Sequence, residues 1–357
     1  MFRSSPSPSD MILLINFIKL VLTQLTMLFS WKYPLLETTL NGKEVIMKQF
    51  KNILFVSQGL AGKSDSLEQA MRLAKENDAR LSGLIVCPAM PSTMSEYQQS
   101  YENSLVDNLF SDIKTTQLKD LSSSTVEPFP INVISGDKPG LSIIHEISLH
   151  HYDLVIKDAE PIHEESKGFK ALDMTLLRKC PCPVWLNRKP KESTTTKRIG
   201  VAIDPIIDNE EEKELTTRLL QVASYIANSF ERQLHIVSCW DYQMESYLRH
   251  HIWIQIEDDV LDQQINTHRT AHLEALYAVI EASGIEGDSV IHHLHGSADE
   301  EIPKWVKDEE VDVLVMGTIA RGGIQGLVIG NTAENVLQSI DCSLVALKPK
   351  GFISPVE

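Results

Sequence analysis

Residues 311–336, VDVLVMGTIARGGIQGLVIGNTAENV, carry an apolar run, a glycine-rich loop and the first turn of a helix in immediate succession. Val311, Val313, Leu314, Val315 and Met316 make the short, nearly continuous apolar segment of a strand buried on both faces of a parallel sheet, ending at Gly317. Gly317, Gly322, Gly323, Gly326 and Gly330 keep side chains out of the loop that follows. Asn331-Thr332 then offers polar caps to a helix that begins with Ala333-Glu334-Asn335-Val336. Such a succession makes an anion site, because unpaired backbone N–H groups and the positive end of the helix dipole converge on the loop. The stretch contains no Gly-Lys-Ser/Thr of a Walker loop, and its glycines do not fall in the G-x-G-x-x-G order of a dinucleotide fingerprint. A turn that needs its glycines only for left-handed backbone is the competing explanation.

Outward from this stretch, the chain from Met47 onward repeats itself. Lys51 to Ser57 and Lys197 to Asp204 are both short apolar runs opened by a lysine. A helix follows in each half, Ser66 to Asn77 with Leu67, Ala70, Met71 and Ala74 on one face, and Glu214 to Asn228 with Leu215, Leu219, Val222 and Ile226. Second strands are expected at Arg80 to Val86 and Gln233 to Cys239, then long polar helical connections at Glu96 to Leu121 and Glu257 to Ser283. Third strands lie around Ile131 to Ile134 and Val290 to His293, with turns at Gly136 and Gly296 leading into helices Leu141 to Leu149 and Glu300 to Lys307. Tyr152 to Lys157 and Val311 to Met316 are the fourth strands. Pro183 to Asn187 and Ser343 to Leu347 are the fifth, each preceded by a helix and a cysteine. Strands alternating with helices predict two parallel sheets covered on both faces and joined by right-handed crossovers. The polar stretch 189–196, KPKESTTT, is short enough to keep the halves together as neighbours.

The loop resembles the nucleotide loop of universal stress proteins, G-x2-G-x9-G-(S/T), with Gly317 and Gly330 at the outer glycines, Ala320 at the middle glycine and Asn331 at the Ser or Thr, while Thr332 supplies a hydroxyl next door. Leu176 to Trp185 (LLRKCPCPVW), Gly330 to Glu334 (GNTAE), Lys348-Pro349 and Ser354 to Glu357 (SPVE) carry the resemblance further, toward the tandem E-type members. It covers essentially everything from Met47 to Glu357. The resemblance implies an α/β fold of two tandem flavodoxin-like, adenine nucleotide alpha hydrolase-like domains, residues 47–190 and 197–350, with a tail at 351–357. Each would be a doubly wound five-stranded parallel sheet of order 3-2-1-4-5. It also implies a cytoplasmic protein of stress survival.

Ligands of open parallel sheets sit beyond the carboxyl ends of the strands, where the strand order reverses. On the resemblance, Asp204 after strand one and the backbone of Cys239 in strand two would meet an adenosine, while Gly317, Ala320, Gly330, Asn331 and Thr332 would face phosphates. ATP, another adenine nucleotide or another anionic small molecule is the expected ligand of the second half. A scaffold that needs no nucleotide and a weak ATP hydrolase are the alternatives. An Asp-Pro turn is an equally good reason for Asp204. In the first half Ser57 stands at the acid position, Asp158 at the first loop glycine, and Ala171 and Leu172 at the last glycine and the hydroxyl, so no phosphate is expected there. Asp158, Glu160, Glu164 and Glu165 would repel one.

A net charge of −16 over 357 residues argues against a nucleic-acid groove. Five scattered cysteines, Cys87, Cys180, Cys182, Cys239 and Cys342, suit a reducing compartment, and the Cys180-x-Cys182 pair lacks further ligands at metal spacing. His292 and His293 should point to opposite faces of their strand, with His295 on the side of His293, which favours packing over a metal cluster. No metal, catalytic triad or paired-carboxylate site is expected, and the chain does not read as an enzyme. Residues 11–30 are apolar and about long enough to cross a bilayer, yet Asn16, Lys19, Thr23, Gln24 and Thr26 interrupt them. Residues 1–46 therefore read as a disordered extension or a mis-assigned start, with no membrane contact. The two halves are expected to pair through their fifth strands, with further dimerisation left open.

Overall fold

The first half runs β1 (Asn52–Ser57), α1 (Asp65–Asn77), β2 (Arg80–Cys87), α2 (Gln98–Lys119), β3 (Ile131–Ser135), α3 (Pro139–His150), β4 (Leu154–Asp158), α4 (Ala171–Lys179) and β5 (Val184–Asn187). The second runs β6 (Ile199–Ala202), α5 (Glu210–Ser229), β7 (Leu234–Trp240), α6 (Glu245–His250), α7 (Asp258–Ser283), β8 (Ser289–His295), α8 (Ala298–Asp308), β9 (Val313–Gly317), α9 (Asn331–Ser339) and β10 (Ser343–Leu347). This computed structural model describes residues 49–59, 64–119, 129–161, 168–189, 197–250, 256–318 and 329–356. The expectations for residues 1–46, for most of the linker and for Ala320, Glu164 and Glu165 lie outside them.

Local chemistry starts and stops these elements. At α1 the Ser64 hydroxyl accepts from the Leu67 N–H at 3.1 Å, with Asp65 and Glu68 in the first turn complementing the dipole. The helix buries Leu67, Ala70, Met71, Leu73 and Ala74, and ends where Asp78 turns left-handed at φ 51°. Helix α5 begins four residues earlier than its apolar periodicity suggests, because Asn209 caps the Glu212 N–H at 2.9 Å and three glutamates fill the first turn. The connection after β7 contains the short helix α6 that apolar spacing did not disclose. Arg249 holds it by salt bridges to Glu245 and to Asp262 of α7.

Strand order across the sheet is β3-β2-β1-β4-β5-β10-β9-β6-β7-β8, so each half has the expected order 3-2-1-4-5 and the halves merge into one ten-stranded sheet among the described residues. Every neighbouring pair is parallel except β5 and β10, which run antiparallel with Leu186 opposite Leu344, Trp185 opposite Val345 and Val184 opposite Ala346. Successive side chains alternate between two cores. Ile53, Phe55, Trp185, Val201, Val315 and Val345 pack under α1 and α5 on one face, whereas Leu54, Val56, Leu186, Leu314 and Leu344 pack on the other against α3, α4, α8 and α9. Both cores cross the seam between the halves. Each fully buried Leu or Val there contributes about 1.5–3 kcal/mol relative to exposure.

Polar contacts also join the halves. Tyr225 of α5 donates to Glu76 of α1 at 2.9 Å and accepts from Asn77 at 2.7 Å, and Arg72 reaches the Ser229 hydroxyl at 2.9 Å. Arg178 of α4 pairs with Glu334 of α9. Gly168 sits at φ 77°, its N–H donating to the Ile340 carbonyl at 3.3 Å, and an added Cβ would lie 2.6 Å from the backbone of Gln338. Only glycine satisfies both the dihedral and the approach.

Candidate functional site

Strand order reverses between β6 and β9, and of the described residues expected to form the site, Asp204 follows β6, Gly317 ends β9, Gly330, Asn331 and Thr332 lie at the start of α9, and Cys239 lies within β7. Gly317 closes β9. The next residue, Thr318, donates its N–H to the Leu347 carbonyl and accepts from the Gly330 N–H, both at 3.2 Å, so the two ends of the loop are tied together. The Thr318 hydroxyl is buried and has no partner among the described residues.

One local expectation is corrected here. Asn331 and Thr332 do not cap α9 from outside; they are its first two residues, and extended Gly330 (φ −70°, ψ 148°) occupies the cap position. Glycine has no side chain to give, so the cap residue itself supplies no side-chain hydrogen bond to the helix. An anion admitted by the loop would meet the N–H groups of its first turn. Asn331 and Thr332 are exposed, and Gly330 is buried.

The first half supplies the contrast. The N-terminus of α4, which corresponds to that of α9, is occupied by a protein carboxylate. Glu160 Oε2 accepts from the Leu172 N–H at 2.8 Å and the Asp173 N–H at 3.4 Å. Asp158, at the end of β4, accepts from both the N–H and the hydroxyl of Ser66 at the start of α1, at 3.2 and 2.6 Å. Beneath them Lys157 and Asp173 form a fully buried ion pair at 2.6 Å, and Asp173 also accepts from the Glu160 N–H at 2.7 Å. Desolvation dominates the Asp173 carboxyl and raises its pKa, with Lys157 pulling the other way. The first half thus carries its own anions where, among the described residues, the second places none.

Asp204 lies two residues beyond β6, exposed, with its carboxylate accepting from the Ile206 N–H at 2.9 Å in an Asx turn. Cys239 is not the last residue of its strand. β7 continues to Trp240, because the ladder to β8 runs on through Cys239–Leu294 to Trp240–His295. Burial first, then the carboxylates of Glu301 and Asp204, pushes the Cys239 thiol up to about 12, so it is a protonated wall of the site and no nucleophile. Asn335, in the first half of α9, donates to Asp299 of α8 at 3.0 Å; this bond and the Ser297 hydroxyl hold the Asp299 carboxyl below its ordinary range. Nothing in the sequence assigned Asp299 a role beyond its place just after the Gly296 turn, where it matches Pro139 of the first half.

The remaining groups pack. His292 meets His235 at 3.0 Å on one face of β8 and His293 meets His272 at 2.9 Å on the other, while His295 stacks on Trp240 with ring centroids 4.2 Å apart. Among the described residues no three His, Cys, Asp or Glu side chains come together as a metal would require. Cys180 and Cys182 are buried free thiols with sulfurs 3.6 Å apart. No helix of the described residues is long and apolar enough to cross a membrane.

A doubly wound sheet of order 3-2-1-4-5 in each half defines the class of fold. Residues 195–348 match the model of the universal stress protein family. The chain's relatives across most of the length are E-type members. Universal stress protein E of Photorhabdus laumondii is 26% identical over 323 residues, covering 87% of this chain and 99% of the relative. The Escherichia coli K12 protein of the same name is 29% identical over 237 residues, 64% of this chain and 71% of the relative. Among solved structures, a functionally unknown protein of Pseudomonas aeruginosa PAO1 superposes with a TM-score of 0.63 at 24% identity, covering 86% of this chain and 95% of its own. A universal stress protein of Archaeoglobus fulgidus superposes at 0.55 and 17%, covering 85% and 100%. These likenesses place the fold.

Proposed function

We propose that the second of two domains, residues 197–350, binds an adenine nucleotide such as ATP in a cytoplasmic stress-response protein, and that the first, residues 47–190, no longer does. One observation carries this reading: among the described residues no side chain accepts from the first N–H groups of α9, whereas the matching helix α4 has Glu160 seated on its own. A phosphate at α9 would take the place that Glu160 takes at α4, stabilised by the same dipole. Asp204 and the backbone of Cys239 stand where the nucleoside would lie, and Gly317, Gly330, Asn331 and Thr332 surround the phosphates. Ala320 belongs to the same loop. The Cys239 thiol is protonated, and binding is the role proposed.

Isothermal titration of the full chain with ATP tests it. Saturable binding is expected, weakened about tenfold by Asp204→Ala, the size of one lost charge-assisted hydrogen bond. Replacing Thr332 by Glu, which would place a carboxylate on the first turn of α9, should abolish it. Absence of saturable binding at about millimolar ATP would leave a nucleotide-independent scaffold as the function.

A further inference from the structure

The seam between the halves encloses a cavity of about 340 Å³ far from the switch-point loop, at the amino ends of β9 and β10 and the carboxyl end of β5. The antiparallel joint creates it, since the end of β5 abuts the start of β10. Among the described residues, the buried side-chain nitrogens and oxygens without a partner are Gln69 Nε2, Arg72 Nη2, Trp185 Nε1, Arg188 Nε and Nη1, Ser238 Oγ, Trp305 Nε1 and Thr318 Oγ1. The first five all belong to residues lining this one cavity, and all five are N–H donors. Gln69 is 6% exposed and Trp185 1%, so solvent does not reach them freely. Buried donors without acceptors are costly, and their convergence on one space has a natural resolution in an acceptor-rich guest.

We propose that this cavity is a second ligand site, for a small organic oxyanion whose charged head accepts from Arg188, Arg72, Gln69 and Trp185 and whose body rests on Phe230, Val311 and Val313. The volume lies within the range of small-molecule sites, which run from about 300 to 1,000 Å³. The cations are held in place: Arg188 Nη2 donates to the Gly168 carbonyl at 2.7 Å with its guanidinium over Phe169, and Arg72 and Lys197 both lie over the Phe230 ring, at 4.1 and 4.5 Å. Burial lowers the pKa of Arg188 against the pull of Asp173 and Asp341, and burial followed by Arg72 lowers that of Lys197 against Asp312, Asp65 and Glu68. Carboxylates line the cavity too. Asp312 is committed to the Arg198 N–H at 2.7 Å, Glu68 and Asp341 have partners, Glu68 and Glu310 are exposed at the rim, and Asp65 belongs to the first turn of α1. Lys189 is exposed opposite them. Acids at the rim and donors inside would admit a compact anion and discourage an extended polyanion.

Phenyl phosphate and phthalate, with benzyl alcohol as the neutral control, are the probes for isothermal titration and ligand-observed NMR on the full chain. One aryl oxyanion should bind saturably and the alcohol should not; which of the two binds tells phosphate from carboxylate recognition. Arg188→Met and, with less risk to folding, Gln69→Met should each weaken the bound anion roughly tenfold, while Asp204→Ala should leave it unchanged. Circular dichroism confirms that each variant is folded. No saturable binding of either anion at about 10 mM by the folded wild type would show a merely hydrated cavity and overturn the proposal. Binding indifferent to both Arg188→Met and Gln69→Met, or lost in Asp204→Ala, would place the anion elsewhere and overturn it equally.

Discussion

The Lys157–Asp173 pair is the most consequential single contact in the first half. Both side chains are buried, and the lysine ammonium also reaches the Asp158 carbonyl, so it holds the end of β4 to the first turn of α4. Such a pair adds little over a well-packed apolar substitute, yet removing one partner strands the other charge in a dry interior. Lys157→Met should therefore cost about 3–5 kcal/mol in urea unfolding, and Lys157→Met with Asp173→Leu should recover most of it. A single variant as stable as the wild type would mean that Asp173 already stands protonated. This pair was not legible in the sequence: Lys157 closed an apolar run and Asp173 lay in a helix, and nothing in their spacing says that the two meet. The replacement of the loop glycine by Asp158 was legible, and the structure adds what the acid does, which is to tie down Ser66.

At the scale of elements, the histidines of the edge strand β8 make stability depend on pH. His235, His292 and His293 have lowered pKa values, burial being the first cause in each. His292 and then Arg198 lower His235 further, with Glu309 opposing; Arg198 also lowers His292, again against Glu309; His272 and Arg269 lower His293. The unfolded chain binds protons more readily at these sites, so their contribution is whole above the ordinary histidine value of 6.5 and is lost as pH falls from there through the folded values. The urea midpoint should drop between about pH 7.5 and about pH 5.5, and His292→Gln should flatten the dependence. A midpoint that rises on acidification would contradict the sign. Strand periodicity had already divided His292 from His293 and His295, because side chains alternate whatever the fold; their partners His235 and His272 come from β7 and α7, which only the sheet order brings near.

At the scale of the molecule, the halves share one sheet and two continuous cores, so they should unfold together. Far-ultraviolet circular dichroism and tryptophan fluorescence, with Trp185 in one half and Trp240 and Trp305 in the other, should trace one coincident urea transition. Gly168→Ala tests the seam itself. A left-handed alanine pressed against Gln338 should cost about 2–5 kcal/mol of that transition, and a variant with two separated transitions would mean that the seam is weaker than its burial implies. The sequence by itself determined the repeat, the parallel strands, the order within each half through its family resemblance, and the glycine loop with its neighbouring polar residues. These follow from local periodicity and turn chemistry, which act over a few residues and leave a trace in any single chain. Only the tertiary structure decided that Glu160 fills the end of helix α4, and that Gln69, Arg72, Trp185 and Arg188 face one cavity. The cavity depends on residues far apart in the chain meeting across an antiparallel joint, and the Glu160 contact on residues twelve positions apart meeting within one half; contacts of either kind are fixed by packing and leave no period in the sequence.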